Sequence, residues 1–212
     1  MKSDSLAKKA YTEIRRKILS AQLPSSTRFK EDEWAKKTSA SRMAVREALT
    51  RLLGEGLLVF GEKGGYFLKP MTEADVHQIR ELREILELGA LRLAFKKMGK
   101  DEYTALDKIC NDFTNMVKEE YFNGALEADI KFHETLMEFS GNEKLLNTYH
   151  TSHIPLFHQK IGKTQIGLND AEQTDLEHRQ LVKALKSKNL KLAEETLTKH
   201  FARGEALALD LD

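Results

Sequence analysis

Four side chains in the second half of the chain have the types and the spacing to bind a metal ion. Asp129 and His133 stand four residues apart, on one otherwise apolar helical face. His178 and His200 stand on the apolar stripes of two later segments. A single histidine on an apolar face is usually a core residue, but a buried carboxylate without a partner is costly. A divalent cation would supply that partner and accept lone pairs from neutral imidazoles.

One carboxylate and three imidazoles suit zinc, nickel, manganese or iron, and residue types alone do not choose among these metals. The other histidines lack a carboxylate on the same apolar face, and we expect them on the surface or in loops; they are His77, His150, His153 and His158. If one of the four residues does not bind the metal, His150 or His153 is the alternative ligand.

Upstream of this cluster, the pattern predicts three helices followed by a β-hairpin. The first two helices are expected at residues 5–20 and 31–37. The third begins after Ser41, a good N-cap, and ends at Gly54 and Gly56. The hairpin strands flank a glycine-rich turn at 61–65. This order is that of a winged helix-turn-helix.

Pro70 marks a boundary, so residues 1–70 and 71–212 are predicted to form separate domains. From Thr72 onward the apolar residues follow helical periodicity alone. We therefore predict a mainly α chain whose second domain is an all-α bundle of about six helices, near residues 72–98, 101–119, 124–140, 143–161, 170–187 and 190–208.

The third helix has the side chains needed to read DNA. Arg42 and Arg46 lie one turn apart, opposite the apolar stripe of the same helix. An arginine fork can donate twice to a guanine edge or grip a phosphate, and Lys63 in the hairpin could reach the neighbouring backbone or minor groove. The alternative is that both arginines belong to a solvated helix face together with Glu47.

Charge and composition agree with a DNA-binding first domain. Residues 1–70 contain 15 Lys and Arg against 8 Asp and Glu, whereas the remainder contains 19 against 25. A basic segment joined to an acidic one suggests that the first part meets a polyanion. A single cysteine, Cys110, excludes an internal disulfide, and no apolar run is long enough for a membrane span. We therefore expect a cytoplasmic protein without a membrane partner.

The helix-turn-helix region carries a specific motif. It comprises Tyr11-Thr12-Glu13-Ile14-Arg15-Arg16-Lys17-Ile18-Leu19-Ser20, Leu23-Pro24, Ser41-Arg42-Met43-Ala44-Val45-Arg46-Glu47-Ala48-Leu49, Leu52 and Gly56-Leu57-Leu58. In this motif, residues 8–68 resemble the GntR family of bacterial repressors. The resemblance implies DNA contacts by Ser41, Arg42, Met43, Arg46, Lys63 and Gly64. Four residues depart from the family pattern. Ser39 stands where the family usually has glycine in the turn, and Met43 stands where threonine is common. Lys30 takes the place of a frequent serine cap, and Asp32 takes the place of an arginine found in the fatty-acid-responsive member.

The second domain carries a second family pattern. It comprises Glu81-Leu82-Arg83, Leu86-Glu87, Asp129, His133, Ser140-Gly141-Asn142, Leu145-Leu146, His178 and His200. In these residues, the segment from about 72 to 205 resembles the FCD domain of the FadR subfamily, in its shorter VanR-like branch. The resemblance implies that Asp129, His133, His178 and His200 are metal ligands and that the protein is a homodimer.

Arg83 is the candidate effector-binding residue, because it is a single charge on an otherwise apolar face. A metal with open coordination positions can bind a ligand carboxylate, and Arg83 could hold the same group from the other side. The resemblance implies an organic acid, often a sugar acid or central metabolite. The alternative is that the metal only stabilises the bundle and that Arg83 pairs with a glutamate.

The sequence as a whole predicts a transcription regulator of the repressor type, whose binding to a double-stranded DNA operator is controlled by a small carboxylate. Two rivals stay open: a constitutive DNA-binding dimer with a structural metal, and a helical metalloenzyme. The enzyme is disfavoured, because no general base, HExxH motif or glycine-rich phosphate loop accompanies the ligands. We therefore expect no catalytic residues.

Overall fold

The computed structural model describes residues 2–19, 23–24, 26–70, 72–152, 154 and 168–209. The chain divides into two compact units, Met1–Thr72 and Glu73–Asp212. Within the described ranges, no helix combines the length and the apolar character that crossing a membrane requires.

The first unit contains three amphipathic helices: α1 (Lys2–Leu19), α2 (Glu31–Thr38) and α3 (Arg42–Gly54). Ile14 and Ile18 of α1 are fully buried, as are Val45, Leu49 and Leu52 of α3, so the apolar stripes of these helices form the core of the unit. The Ser41 hydroxyl accepts a hydrogen bond of 3.2 Å from the amide of Ala44, which confirms Ser41 as the N-cap of α3.

A small sheet follows the helices. Strands β2 (Leu58–Phe60) and β3 (Tyr66–Leu68) form the predicted antiparallel hairpin, and Gly64 and Gly65 adopt positive φ angles in its turn. The sequence did not predict β1 (Arg28–Phe29), which pairs with the other edge of β3 and gives the order β1-β3-β2. Three helices with this sheet form the predicted winged helix-turn-helix.

The described part of the second unit consists of six helices, as predicted: α4 (Glu73–Phe95), α5 (Lys100–Lys118), α6 (Phe122–Phe139), α7 (Glu143–Thr151), α8 (Leu168–Lys186) and α9 (Leu190–Leu209). The helix predicted over 143–161 is described as far as Thr151, and residues 155–161 lie outside the described ranges.

The core of the second unit is apolar along most of its length, with Leu91, Phe132, Leu136, Leu185 and Phe201 all buried. A group of buried polar side chains continues the same stripes: Arg83, Glu87, Asp129, His133, Glu177, His178 and His200. Burying so many polar groups at one place is costly unless they pair with one another or with a ligand. Their arrangement is therefore the feature that needs a functional explanation.

The turn between α2 and α3 yields a stability prediction. Ser39 closes α2 in the left-handed conformation, at φ 52° and ψ 39°, and its side chain is exposed. This conformation crowds the Cβ of an L-residue, whereas glycine adopts it freely. We expect Ser39→Gly to raise the free energy of unfolding of the first unit by about 0.5–1 kcal/mol, after the greater unfolded-state entropy of glycine is subtracted.

Urea unfolding followed by tryptophan fluorescence measures this change. Trp34 is the only tryptophan of the chain, and it is buried in the first unit. Ser39→Ala is the matched control, because alanine keeps the Cβ and should bring no gain. An unchanged or lower urea midpoint for Ser39→Gly would contradict the prediction.

Candidate metal centre and DNA-reading helix

The four predicted metal ligands meet inside the second unit. Asp129 and His133 come from α6, His178 from α8 and His200 from α9, and all four are buried. One ligand atom from each lies within 4.8 Å of every other. The Nε2 atoms of His133 and His200 are 3.1 Å apart, and the Nε2 of His178 is 3.2 Å from Oδ1 of Asp129.

These separations fit a shared metal ion. Metal–ligand bonds of about 2.1 Å place neighbouring ligand atoms roughly 3.0–3.4 Å apart. The same Asp129 oxygen lies 3.6 Å from Nε2 of His133 and 3.9 Å from Nε2 of His200. The donor set of three imidazoles and one carboxylate suits a divalent transition metal.

Two buried glutamates orient two of the imidazoles. Glu87 lies 2.6 Å from Nδ1 of His133, and Glu177 lies 2.8 Å from Nδ1 of His200. Since an ionised carboxylate can only accept a hydrogen bond, each Nδ1 donates its proton, and in a neutral ring the lone pair is on Nε2. Two nitrogen lone pairs at 3.1 Å repel each other unless a proton or a metal ion lies between them. The arrangement therefore calls for a cation at this point, either a proton shared by the two rings or a metal ion.

Arginines hold both glutamates in the ionised form. Burial would raise the pKa of Glu87, but Arg83 and His133 outweigh burial and lower the pKa to about 2. Burial likewise opposes ionisation of Glu177, yet hydrogen bonds from His200 and Arg203 lower its pKa to about 2. Both carboxylates are thus charged at neutral pH.

The histidines themselves differ in their titration. Burial lowers the pKa of His200 to about 3, against the opposing effect of Glu177, and burial also lowers the pKa of His178. These two rings are therefore neutral at pH 7, as metal ligation requires. For His133, burial would lower the pKa, but Glu87 raises it above the ordinary histidine value.

Arg83 pairs with a buried glutamate and also lines a cavity beside the cluster. Its Nε donates a hydrogen bond of 2.8 Å to Glu87, so the predicted alternative of a glutamate partner is correct as a contact. Arg83 also lines a cavity together with Asp129 and His200. The guanidinium carbon lies 4.6 Å above the ring centre of Phe201, which fixes its position further.

A cavity that is partly open to solvent lies beside the cluster, and its empty space, counted with the adjoining open solvent, is about 580 Å³. Arg83, Asp129 and His200 line it. The rest of the described lining combines apolar side chains from α5, α6, α8 and α9 with three polar residues, Asp170, Thr174 and Arg203. A small molecule in this cavity would reach the metal-ligand cluster and the buried arginine together.

Glu177 and Arg203 are two further residues of the candidate site, and the sequence did not point to either of them. Nε and Nη2 of Arg203 donate to Glu177 at 2.9 and 2.8 Å, in the same way that Arg83 holds Glu87. The Arg83–Glu87 pair has a local signal, since the residues stand four apart on one helix. The contact between Glu177 and His200 joins two helices, and helical periodicity does not encode it.

The remaining histidines lie away from the cluster where they are described. His77 is exposed and contacts Glu205, and His150 lies 3.5 Å from Glu134 with a side chain that is 39% exposed. Neither substitutes for a ligand. His153 and His158 lie outside the described residues.

The residues proposed to contact DNA lie on the surface of the first unit. Arg42, Met43 and Arg46 project from the N-terminal half of α3, and Met43 is 71% exposed. Lys63 is exposed in the hairpin turn, and the adjacent Gly64 has a φ of +83°. The surface therefore presents two arginines, a thioether and a lysine to a partner.

The two arginines lie on an exposed helix face together with Glu47, and both form ion pairs with acidic residues of α2. Nε and Nη2 of Arg46 donate to Glu31 at 2.7 and 3.0 Å, and Nε of Arg42 lies 3.0 Å from Asp32. These pairs are exposed, and exposed pairs contribute little to stability. The ion pairs orient the guanidinium groups of Arg42 and Arg46, which stay exposed.

Comparisons with known proteins agree with both units. Residues 6–68 match the model described as bacterial regulatory proteins of the gntR family, and residues 78–203 match the FCD domain. The chain is 29% identical over 197 residues to an uncharacterized HTH-type transcriptional regulator, YdhC, of Bacillus subtilis; the alignment covers 90% of this chain and 85% of that protein.

Two further comparisons extend this result. The gluconate operon transcriptional repressor of Bacillus licheniformis is 26% identical, with 89% of this chain and 79% of that protein covered. The solved structure of McbR/YncC from E. coli shares the fold, with a TM-score of 0.89 at 16% identity and 97% of each chain covered.

These relatives are transcription regulators, so the regulator prediction is confirmed over the metalloenzyme alternative. The match to the gntR family model indicates that the first unit binds DNA. The match to the FCD domain covers more than half of the chain. The protein belongs to the gntR family of DNA-binding transcription regulators and carries an FCD domain.

Proposed function

We propose that this regulator is a repressor whose hold on a DNA operator is controlled by a small carboxylate, bound beside a metal ion in the second unit. The observation that carries the proposal is the cluster of four ligand atoms, two of whose residues, Asp129 and His200, line one cavity together with Arg83. The relatives that are named repressors support the sign of regulation.

The metal would be held by Asp129, His133, His178 and His200. Zinc, nickel, manganese and iron all fit this donor set. When bound, the ion supplies a Lewis-acid site for an oxygen of the ligand. Glu87 and Glu177 contribute by keeping the Nδ1 atoms of two rings protonated, so that the Nε2 atoms point to the ion.

Arg83 would contact the effector carboxylate from the cavity wall. Its Nε is committed to Glu87, and the guanidinium fork has further N–H groups. In a buried site, an arginine gains more from a carboxylate than it would in water, because the local dielectric constant is low. The arginine and the bound metal ion together would select an anion over a neutral molecule.

The DNA-reading surface of the first unit would enter the major groove through α3. Ser41, Arg42, Met43 and Arg46 would contact the operator there, while the turn at Lys63 and Gly64 reaches the neighbouring backbone or minor groove. A homodimer would present two such surfaces to paired half-sites of the operator.

A thermal-shift screen of small carboxylic acids tests the proposal. The full-length protein is loaded with zinc or treated with a chelator before each acid is added. A ligand at 100 times its Kd stabilises the folded state by about 2.7 kcal/mol, which raises the Tm by roughly 5–10 °C. We expect such a shift in the loaded protein and its loss after chelation.

An acid that passes this screen is then added to the protein on a DNA duplex selected from a random pool, and release is followed by fluorescence anisotropy. Release only in the metal-loaded state supports the proposal. If chelation lowers the Tm but every acid fails to shift it or to release DNA, the metal is structural and the protein is a constitutive DNA-binding dimer.

The orienting role of Glu177 leads to a prediction about metal affinity. Glu177→Gln removes the charge that holds the His200 ring, and loss of such a partner typically costs 10–100-fold in metal affinity. Competition with a chromophoric zinc chelator measures the change. Glu172→Gln is the control, since Glu172 lies on the same helix with an exposed side chain. Equal zinc affinities for Glu177→Gln and the wild type would show that this glutamate does not act on the metal site.

A charge-conserving substitution separates the proposed effector-binding role of Arg83 from its role as the partner of Glu87. Arg83→Lys keeps a cation beside Glu87 but removes the fork, so we expect acid binding to weaken by about tenfold or more while zinc affinity is retained. Arg80→Lys on the same helix is the control, because Arg80 pairs with Glu84 and Glu205 instead. Unchanged acid binding in Arg83→Lys would leave Arg83 as only the counter-ion of Glu87.

A further inference from the structure

Glu31, the first residue of α2, contacts both arginines of α3. Its carboxylate oxygens accept hydrogen bonds of 2.7 and 3.0 Å from Nε and Nη2 of Arg46, and one of them lies 3.7 Å from Nη2 of Arg42. The Glu31 side chain is 17% exposed, whereas the side chain of Arg46 is 55% exposed. The hydrogen bond from Arg46 lowers the pKa of Glu31, so the carboxylate is ionised at neutral pH. A half-buried carboxylate therefore holds one edge of an exposed guanidinium group.

The hydrogen bonds to Glu31 use the Nε side of the Arg46 guanidinium group. Arginine has five N–H donors in a rigid fork, and Nη1 and the second hydrogen of Nη2 form its outer edge. This outer edge matches the O6 and N7 acceptors of guanine, whereas adenine presents an N6 donor beside N7. Because Glu31 fixes the inner edge, the outer edge keeps one direction. An arginine held in this way is suited to distinguish guanine from adenine.

An arginine without such a carboxylate would bind DNA differently. Its long side chain could swing to a phosphate, and a phosphate contact gives affinity without sequence information. The carboxylate also cancels part of the arginine charge, which weakens the attraction to the backbone of any DNA. The pairing with Glu31 therefore disfavours sequence-independent binding and favours a contact with a base.

We infer that Glu31 is a positioning residue for operator specificity, because it directs the outer edge of Arg46 to a guanine in the major groove. This inference rests on the proposed function, since it takes α3 as the element that enters the groove. Glu31 acts through Arg46 and contacts no base itself. Its pair with Arg46 lies at the surface, where ion pairs contribute little to stability, so its removal should leave the fold intact.

Competition binding followed by fluorescence anisotropy on the zinc-loaded full-length protein tests the inference. A duplex is selected from a random pool with the wild-type protein, and each of its G·C pairs is replaced by A·T in turn. Arg46→Ala identifies the base pair whose recognition depends on this arginine. A bidentate arginine–guanine contact discriminates by about 5–150-fold, and we expect Glu31→Ala to lower the affinity ratio at that base pair by about fivefold or more. The affinity for a duplex of unrelated sequence should stay the same or rise, because a negative charge near the phosphates is removed.

Glu33→Ala is the matched control. Glu33 also lies in the first turn of α2, but it pairs with Lys30 instead of an arginine of α3. The substitution removes the same charge from the same end of the helix, so an effect common to both variants arises from the net charge alone. In the Arg46→Ala background, Glu31→Ala should not lower the discrimination further. Circular dichroism confirms that the variants are folded.

The outcomes separate this inference from the proposed function. If Arg46→Ala leaves every affinity ratio unchanged, Arg46 does not read the operator, and its place in the DNA-reading surface is overturned together with the inference. If Arg46→Ala removes the discrimination at one base pair but Glu31→Ala keeps the wild-type ratio there, the inference is overturned and the DNA-reading surface stands. Equal losses in Glu31→Ala and Glu33→Ala, or a further loss in the Arg46→Ala background, would also overturn the role of Glu31.

Discussion

The second unit depends on one electrostatic constraint: three imidazole nitrogens and a carboxylate oxygen are confined within 4.8 Å of one another in a buried space. Without a proton or a metal ion between them, two of the nitrogens at 3.1 Å would oppose lone pair to lone pair. The surrounding residues enforce this arrangement, because Glu87 and Glu177 fix the protons on the outer ring atoms. These groups are brought together by four helices, α4, α6, α8 and α9.

The two arginine–glutamate pairs contribute more to the orientation of the imidazoles than to the stability of the fold. Arg83 and Glu87 are both almost wholly buried, and removing two charges from water costs several kcal/mol per ion before their attraction is counted. An apolar pair of the same volume would pack as well at lower cost. What the ion pairs supply is a charged glutamate at a fixed place, and each such glutamate sets the orientation of one imidazole.

The parts that could be predicted from sequence are those with a local signal. Asp129 and His133 share a helical face at four-residue spacing, Ser41 stands directly before an apolar stripe, and glycines mark the hairpin turn. Strand β1 has only two residues, too few to show the alternation of apolar and polar side chains that marks a strand. It forms because β3 offers a free edge. Glu177 and Arg203 acquire their roles by contacts between helices, and a contact across 26 residues leaves no trace in local periodicity.

The position of Arg83 in the chain connects the cavity to the DNA-binding unit. The first unit ends at Thr72, and α4 begins at the next residue. Arg83 lies ten residues into this helix, which corresponds to about 15 Å along its axis. An effector held by Arg83 and by ligands on α6 and α9 would tie α4 to the rest of its bundle. A ligand changes an equilibrium only through states that it binds differently. Under the proposed function, a shift of α4 against α6 and α9 would be such a difference, and α4 is continuous with the chain that leads to the DNA-reading helix.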